Sequence, residues 1–196
     1  VGSEMCIRDR ITTNVAEAFT ILTSLILGYP FILKPTHILF LNFVTDTLVG
    51  TTLAFEKEHG YEIKTKPRHP KESLITLDLI PFLLIMVTTM MILTILIFSS
   101  EYLFNLDKAR TYAFLIMSLT QIFNAINLRS LHKSIFTLSF KLNVYLLVGA
   151  IFSVFLQYFV IFNPALRDIL KFSEIRITEF IVIFFLSSLI FFVGEI

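Results

Sequence analysis

The chain has 196 residues, of which 56% are hydrophobic and only 16% are charged. Soluble proteins carry roughly 25% charged residues, so this composition excludes an ordinary soluble domain and predicts a polytopic membrane protein in contact with the lipid bilayer. The net charge of +1 provides no basic face, and we expect no nucleic-acid partner. The single cysteine, Cys6, excludes an internal disulfide.

Residues 1–10 are polar and of mixed charge, and they lack the apolar core of a signal peptide. They do not lead naturally into the apolar segment that follows, so we interpret residues 1–10 as a non-native leader or scar. We treat residues 11–196 as the membrane domain. Because the chain stops where its last apolar segment should leave the membrane, we expect the sequence to be a fragment.

Six apolar segments follow, each close to the length of about 20 residues that a helix needs to cross a bilayer. They are apolar on all sides rather than along one stripe, which is typical of helices that face lipid or one another. The predicted fold class is therefore all-α, a polytopic membrane bundle with six transmembrane helices. The segments cover residues 11–28, 36–55, 74–99, 111–128, 142–162 and 177–196.

The connections between the segments indicate an orientation. If the N-terminus, residues 56–73 and residues 129–141 share one side of the membrane, that side holds ten of the 16 Lys and Arg residues. Positively charged loops stay in the cytoplasm. We therefore predict that residues 56–73 form a cytoplasmic loop in a multi-pass protein of the cell membrane, the plasma or inner membrane if the organism is prokaryotic.

Two carboxylates lie deep in the predicted spans, Glu17 in the first and Asp46 in the second. Ionisable residues at this depth are costly and mark functional sites by default. Amide and hydroxyl groups recur three or four residues apart near them and in the fourth span, a spacing that places such groups on one helix face. These groups are Asn14, Asn42, Thr45, Gln121, Asn124 and Asn127.

Carboxylates combined with amide and hydroxyl oxygens are the ligands that Ca²⁺ prefers, at about six to eight oxygens per ion. Soft metals would need thiolate or imidazole groups, which are missing at this depth. Polar groups in membrane helices also serve as hydrogen bonds between helices. We favour that role for Asn124 and Asn127, and a functional role for Glu17 and Asp46.

Four motifs resemble the P-type cation-transporting ATPases. Asn14–Glu17 resembles the fifth transmembrane helix of that family, and Leu41–Leu48 resembles the sixth. Lys66–Ile75 is similar to the cytoplasmic loop that follows, and Gln121–Ser130 to the eighth helix. The motifs occur in the order and at the spacing of the family. The resemblance implies that the six spans are the fifth to tenth helices of a calcium-pump-like member.

The resemblance also implies a set of cation ligands. They are Asn14, Glu17, Asn42, Thr45, Asp46 and Gln121. Gln121 stands where sarcoplasmic-reticulum-type pumps have glutamate; plasma-membrane-type pumps have glutamine there but lack the acid that Glu17 supplies. This mixture leaves the number of ions per cycle open. Sodium-pump relatives usually have aspartate where Asn42 stands, so Asn42 favours Ca²⁺ as the cargo over Na⁺, with Mn²⁺ as an alternative.

The D-K-T-G-T phosphorylation motif of the family does not occur in this sequence, nor do the domains that bind ATP and Mg²⁺. The resemblance therefore implies the membrane half of an ATP-driven pump that exports Ca²⁺ from the cytoplasm. We expect no catalytic residue in this chain and no competence to hydrolyse ATP alone. Its partners would be the missing N-terminal helices and cytoplasmic domains of the same pump.

Two alternative functions stay open on the residues alone. One is a secondary transporter or channel in which Glu17 and Asp46 form a proton or sodium relay. Such transporters often show repeated halves with broken helices, and this sequence has no such internal symmetry. The other is a non-catalytic membrane bundle whose polar stripes only hold helices together.

Overall fold

The computed structural model describes residues 2–55, 79–128 and 144–194. Every regular element in these ranges is helical, which confirms the predicted all-α class. The described elements are α1 (Gly2–Ile26), α2 (Pro35–Phe40), a π-helical turn (Leu41–Asp46), α3 (Thr47–Leu53), α4 (Ile80–Tyr102), α5 (Leu106–Asn127), α6 (Val144–Phe162), α7 (Pro164–Leu170), α8 (Ile177–Ser187) and α9 (Leu189–Val193). The predicted cytoplasmic loop 56–73 lies outside the described residues.

Two helices in the described part of the chain, α4 and α6, are long and apolar enough to cross a membrane. The second predicted span is divided by the π-helical turn, and the last one is divided at Ser188 between α8 and α9. The predicted total of six spans therefore stays a prediction. The helices that do not meet the same criterion include α1 and α5, which carry the polar groups of interest.

Helix α1 includes most of the segment that we interpret as a leader. It begins at Gly2 and runs without a break through Ile11, so in the structure this segment continues directly into the first span. The physical reason is local, since residues 3–10 contain neither Gly nor Pro and include strong helix formers such as Glu4, Met5 and Arg8. The non-native origin of residues 1–10 stays a prediction.

Helix α5 lies at the centre of the described bundle. All of its residues from Thr111 to Ile122 are buried, because α5 packs against α1, α4, α6, α8 and α9. The Asn105 side chain caps its start by accepting a hydrogen bond from the Lys108 backbone N–H at 3.0 Å. The polar side chains near the other end of α5 are thereby carried into the interior of the protein.

Ion pairs join three elements at the end of the bundle where α5 begins. Lys34, which precedes α2, lies 2.8 Å from Asp107, and Lys108 lies 2.9 Å from Glu179 of α8. The hydrogen bond from Lys34 keeps the pKa of Asp107 below its ordinary value. These contacts fix the position of α5 relative to its neighbours at one end.

Helices α3 and α6 pack closely and run in opposite directions. The Phe55 and Tyr145 rings lie 5.5 Å apart, and a Cβ added to Gly149 would lie 2.8 Å from the Thr52 side chain. The contacts on α6 therefore advance from Tyr145 to Gly149 while those on the second span go back from Phe55 to Thr52. Since Gly149 leaves no room for a larger side chain, it sets the distance between the two helices.

The close approach at Gly149 gives a stability prediction. Gly149→Ala places a methyl group against Thr52, a β-branched side chain with little rotamer freedom, and should lower the free energy of unfolding by about 1–3 kcal/mol. Gly50→Ala is the matched control, because its added Cβ meets only Cys6 Sγ at an ordinary 3.5 Å. Thermal unfolding in detergent measures both variants, and equal stability of the two would contradict the predicted steric role of Gly149.

Candidate cation site

The Glu17 carboxylate is buried, with 5% of its surface exposed, and amide groups from two other elements reach it. The Gln121 Nε2 group of α5 donates a hydrogen bond to Glu17 Oε1 at 2.7 Å. The Asn42 Nδ2 group of the π-helical turn donates to Glu17 Oε2 at 3.1 Å. The structure therefore brings together three predicted ligands that are far apart in the sequence.

The Asp46 carboxylate is also buried, with 4% of its surface exposed, but only one of its oxygens is hydrogen-bonded. Thr13 Oγ1 of α1 donates to Asp46 Oδ2 at 3.1 Å. In the described part of the chain, Asp46 Oδ1, Thr45 Oγ1 and Gln121 Oε1 are buried polar atoms without a hydrogen-bond partner. A buried polar group without a partner is costly, and a hard cation is one ligand that would satisfy these oxygens.

The second span carries its polar residues on a π-helical turn, Leu41–Asp46. A π-helical turn shifts the backbone hydrogen bonds by one residue and is frequent at functional sites. The Thr47 hydroxyl donates to the Asn42 carbonyl, five residues earlier, at 3.1 Å. Asn42, Thr45 and Asp46 are thus offset from the positions that a regular α-helix would give them.

Asn14 differs from the other predicted ligands. Its side chain is exposed, and none of the hydrogen bonds among the described residues joins it to Glu17 or Asp46. Five of the six predicted ligands therefore lie on the interior side of the helices, and Asn14 lies outside it. The ligand role of Asn14 stays a prediction.

Sequence reasoning missed Thr13, which is fully buried and contacts Asp46. The signal for it is spacing, since Thr13 lies four residues before Glu17 and therefore on the same helix face. Asp9 precedes Thr13 by the same interval, and Asp9 Oδ1 accepts a hydrogen bond from Asn124 Nδ2 at 2.8 Å. Because Asp9 belongs to the segment that we interpret as non-native, we assign it no role.

Asn127 has the structural role that its sequence position indicates. Its Nδ2 group donates a hydrogen bond to the Ile190 carbonyl of α9 at 2.9 Å, which links two helices directly. Hydrogen bonds of this kind are common between membrane helices. Asn127 thus stabilises the contact between α5 and α9, away from Glu17 and Asp46.

The donor set of the site is typical of a hard cation. It consists of two carboxylates, two side-chain amides and the Thr45 hydroxyl. No group of three or more His, Cys, Asp or Glu side chains that could hold a metal occurs among the described residues. The oxygens present belong to carboxylate, amide and hydroxyl groups, which are ligand types that hard cations accept.

Comparison with known proteins decides the family. The family model described as "Cation transporting ATPase, C-terminus" matches residues 30–196. The chain belongs to this family. Calcium-transporting ATPase 1 of Bacillus cereus (strain ATCC 10987 / NRS 248) is 30% identical over 204 residues, which cover 95% of this chain and 23% of that relative. Calcium-transporting ATPase of Bacillus subtilis (strain 168) is 32% identical over 178 residues, covering 88% of this chain and 19% of that relative.

A vertebrate relative is similar over the same region. Calcium-transporting ATPase type 2C member 1 of Mus musculus is 27% identical over 194 residues, covering 97% of this chain and 21% of that relative. These matches confirm the resemblance to the C-terminal region of calcium-pump-like P-type cation-transporting ATPases and the expectation of an integral membrane protein. The chain spans between 19% and 23% of the length of these curated relatives.

The contact between Thr13 and Asp46 gives a second stability prediction. Thr13→Val keeps the shape of the side chain and removes the donor to Asp46, which should lower the free energy of unfolding by about 1–3 kcal/mol. Thr20→Val is the control on the same helix, because the Thr20 hydroxyl donates to the Ala16 carbonyl of its own helix at 2.7 Å and to no other group among the described residues. A Thr13→Val variant as stable as Thr20→Val would show that the hydrogen bond from Thr13 to Asp46 does not stabilise the fold.

Proposed function

We propose that this chain is the ion-binding membrane part of an ATP-driven cation pump that exports Ca²⁺ from the cytoplasm. The observation that carries the proposal is the set of buried polar contacts in which Asn42 and Gln121 hold Glu17 and Thr13 holds Asp46. Calcium-transporting relatives that match most of this chain support the choice of cargo. The hydrolysis of ATP is assigned to domains outside this chain.

The arrangement of Gln121 suits it to a site that alternates between occupied and empty. Its Nε2 group holds Glu17, while its Oε1 atom has no hydrogen-bond partner among the described residues. The same amide can therefore keep the carboxylate in place and present an oxygen to an ion. Thr45 Oγ1 and Asp46 Oδ1 supply two further unpartnered oxygens on the π-helical turn.

Charge explains why a divalent ion would stabilise this site. Two carboxylates in one poorly solvated site repel each other, and the repulsion disfavours the state in which both are ionised. A bound dication removes the repulsion. In the return step of the cycle, protons on Glu17 and Asp46 would have the same effect.

Release of the ion follows from the placement of its ligands on three elements. Ca²⁺ needs its oxygens at about 2.3–2.6 Å. Phosphorylation of the pump outside this chain would change the relative positions of α1, the π-helical turn and α5. Because the ligands of the site are divided among these three elements, such a movement separates them and lowers the affinity for the ion.

The first functional prediction concerns Asp46. Asp46→Asn keeps the size of the side chain but removes its charge, and it should weaken equilibrium Ca²⁺ binding by at least about tenfold, which corresponds to about 1.4 kcal/mol. Ca²⁺ binding and Ca²⁺-dependent phosphoenzyme formation are measured in the complete pump that contains this chain. Asp168→Asn is the control, since Asp168 is an exposed acid of α7.

Two results of this experiment would contradict the proposal. Unchanged Ca²⁺ affinity in Asp46→Asn would contradict the assignment of Asp46 to the ion site. Transport that proceeds without ATP, with no phosphoenzyme in the wild type, would instead favour the secondary transporter or channel in which Glu17 and Asp46 act as a relay.

The second functional prediction concerns the number of ions. Glu17→Gln places a third amide beside Asn42 and Gln121 and removes one charge, so we expect weaker Ca²⁺ binding with some ATP-driven uptake retained. The number of Ca²⁺ ions bound per phosphorylation site, measured by isotope binding, shows whether one of two sites is lost. Complete loss of uptake would mean that Glu17 belongs to a single indispensable site.

A further inference from the structure

Helix α6 buries one polar face that has no part in the cluster around Glu17. Ser153 and Gln157 are both fully buried and lie four residues apart, on the same face of the helix as Gly149. The rest of the buried face of α6 is apolar. A buried glutamine without hydrogen-bond partners costs free energy at this position, whereas a leucine of similar size would pack there without burying a polar group.

None of the polar side-chain atoms of Ser153 and Gln157 has a hydrogen-bond partner in the described part of the structure. This holds for Ser153 Oγ and for both Nε2 and Oε1 of Gln157. The amide therefore presents an unused donor and an unused acceptor together. Inside a membrane bundle, such groups are normally satisfied by another helix or by ordered water.

The packing of α6 on the second span fixes the start of this polar face. Tyr145 pairs with Phe55 and Gly149 with Thr52, so the two spans run antiparallel. Ser153 and Gln157 follow Gly149 at intervals of four residues, and they therefore continue the helix face that begins at the contact with Thr52.

We propose that Ser153 and Gln157 bind a buried water molecule on the inner face of α6. Water fits because it donates and accepts, as the unused donor and acceptor of Gln157 require, and because a buried water makes about three hydrogen bonds. A cation would leave Gln157 Nε2 without an acceptor. Neither Ser153 nor Gln157 carries a charge, which disfavours a divalent ion at this place.

The proposal is independent of the identity of the transported ion. Failure of the Ca²⁺ experiments would leave the water site standing, and the two proposals therefore fail separately.

A double-mutant cycle tests whether Ser153 and Gln157 share one bound water molecule. The protein that contains this chain is purified in lipid nanodiscs, and thermal unfolding is compared for wild type, Ser153→Ala, Gln157→Leu and the double variant. A shared water predicts that each single change lowers the Tm, because the other group loses its partner. The double variant should then lose less than the two single losses together.

Two results of the cycle would overturn the proposal. If no water is bound at Ser153 and Gln157, Gln157→Leu removes an amide without a hydrogen-bond partner, and the Tm is unchanged or rises. If the Tm losses of the two single variants simply add, Ser153 and Gln157 do not share a water molecule. Ser187→Ala provides the control, because Ser187 is a buried hydroxyl of α8 that bonds to the Ile183 carbonyl of its own helix at 2.8 Å. Its effect should add to that of Gln157→Leu.

Direct observation decides the case even if a variant fails to fold. A cryo-electron microscopy map of the wild-type protein should show density within hydrogen-bond distance of Gln157 and Ser153. A protein group bonded directly to the Gln157 amide would overturn the proposal. A K⁺- or Na⁺-dependent rise in Tm that Gln157→Leu abolishes would also overturn it, since the guest would then be a monovalent cation.

Discussion

The burial of Glu17 is the constraint on which the arrangement of this bundle depends. A carboxylate inside an apolar structure is costly unless hydrogen bonds compensate for the lost water. The compensation comes from Asn42 and Gln121, which lie on two other elements. Because neither amide is local to α1, Glu17 is satisfied only when α1, the second span and α5 are packed together. One buried group thus couples tertiary assembly to the formation of the polar cluster.

The degree of hydrogen bonding separates the structural polar groups from those suited to binding. Asn127 links α5 to α9 through its amide, which makes it a contact between helices. Asp46 is different, because Thr13 satisfies one carboxylate oxygen and leaves the other without a partner among the described residues. Incompletely satisfied networks are unfavourable as pure structure. The unpartnered oxygens of Asp46, Thr45 and Gln121 in the described part of the chain are therefore the observation on which the proposed cation site rests.

The helical class, the buried carboxylates and the family were accessible from sequence, and each for a physical reason. Long apolar segments require helices in a membrane, and the cost of burial singles out Glu17 and Asp46. Other features depend on helix rotation and register, which one sequence does not specify. A 3.6-residue period places Asn14 on the Glu17 face, yet its side chain is exposed. The same period does not reveal the π-helical turn, and the burial of Ser153 and Gln157 depends on how α6 packs in the bundle.

The π-helical turn is where these polar features converge. It carries Asn42 toward Glu17 and Asp46 toward Thr13. The tight contact between Gly149 and Thr52 means that α3 and α6 cannot separate without losing close packing. In the proposed mechanism, a displacement of the second span would therefore carry α6 with it. The ion pair between Asp107 and Lys34, which directly precedes α2, joins α5 to the start of the second span. The proposed movement would thus separate these two elements at the level of Glu17, to which Asn42 and Gln121 donate hydrogen bonds.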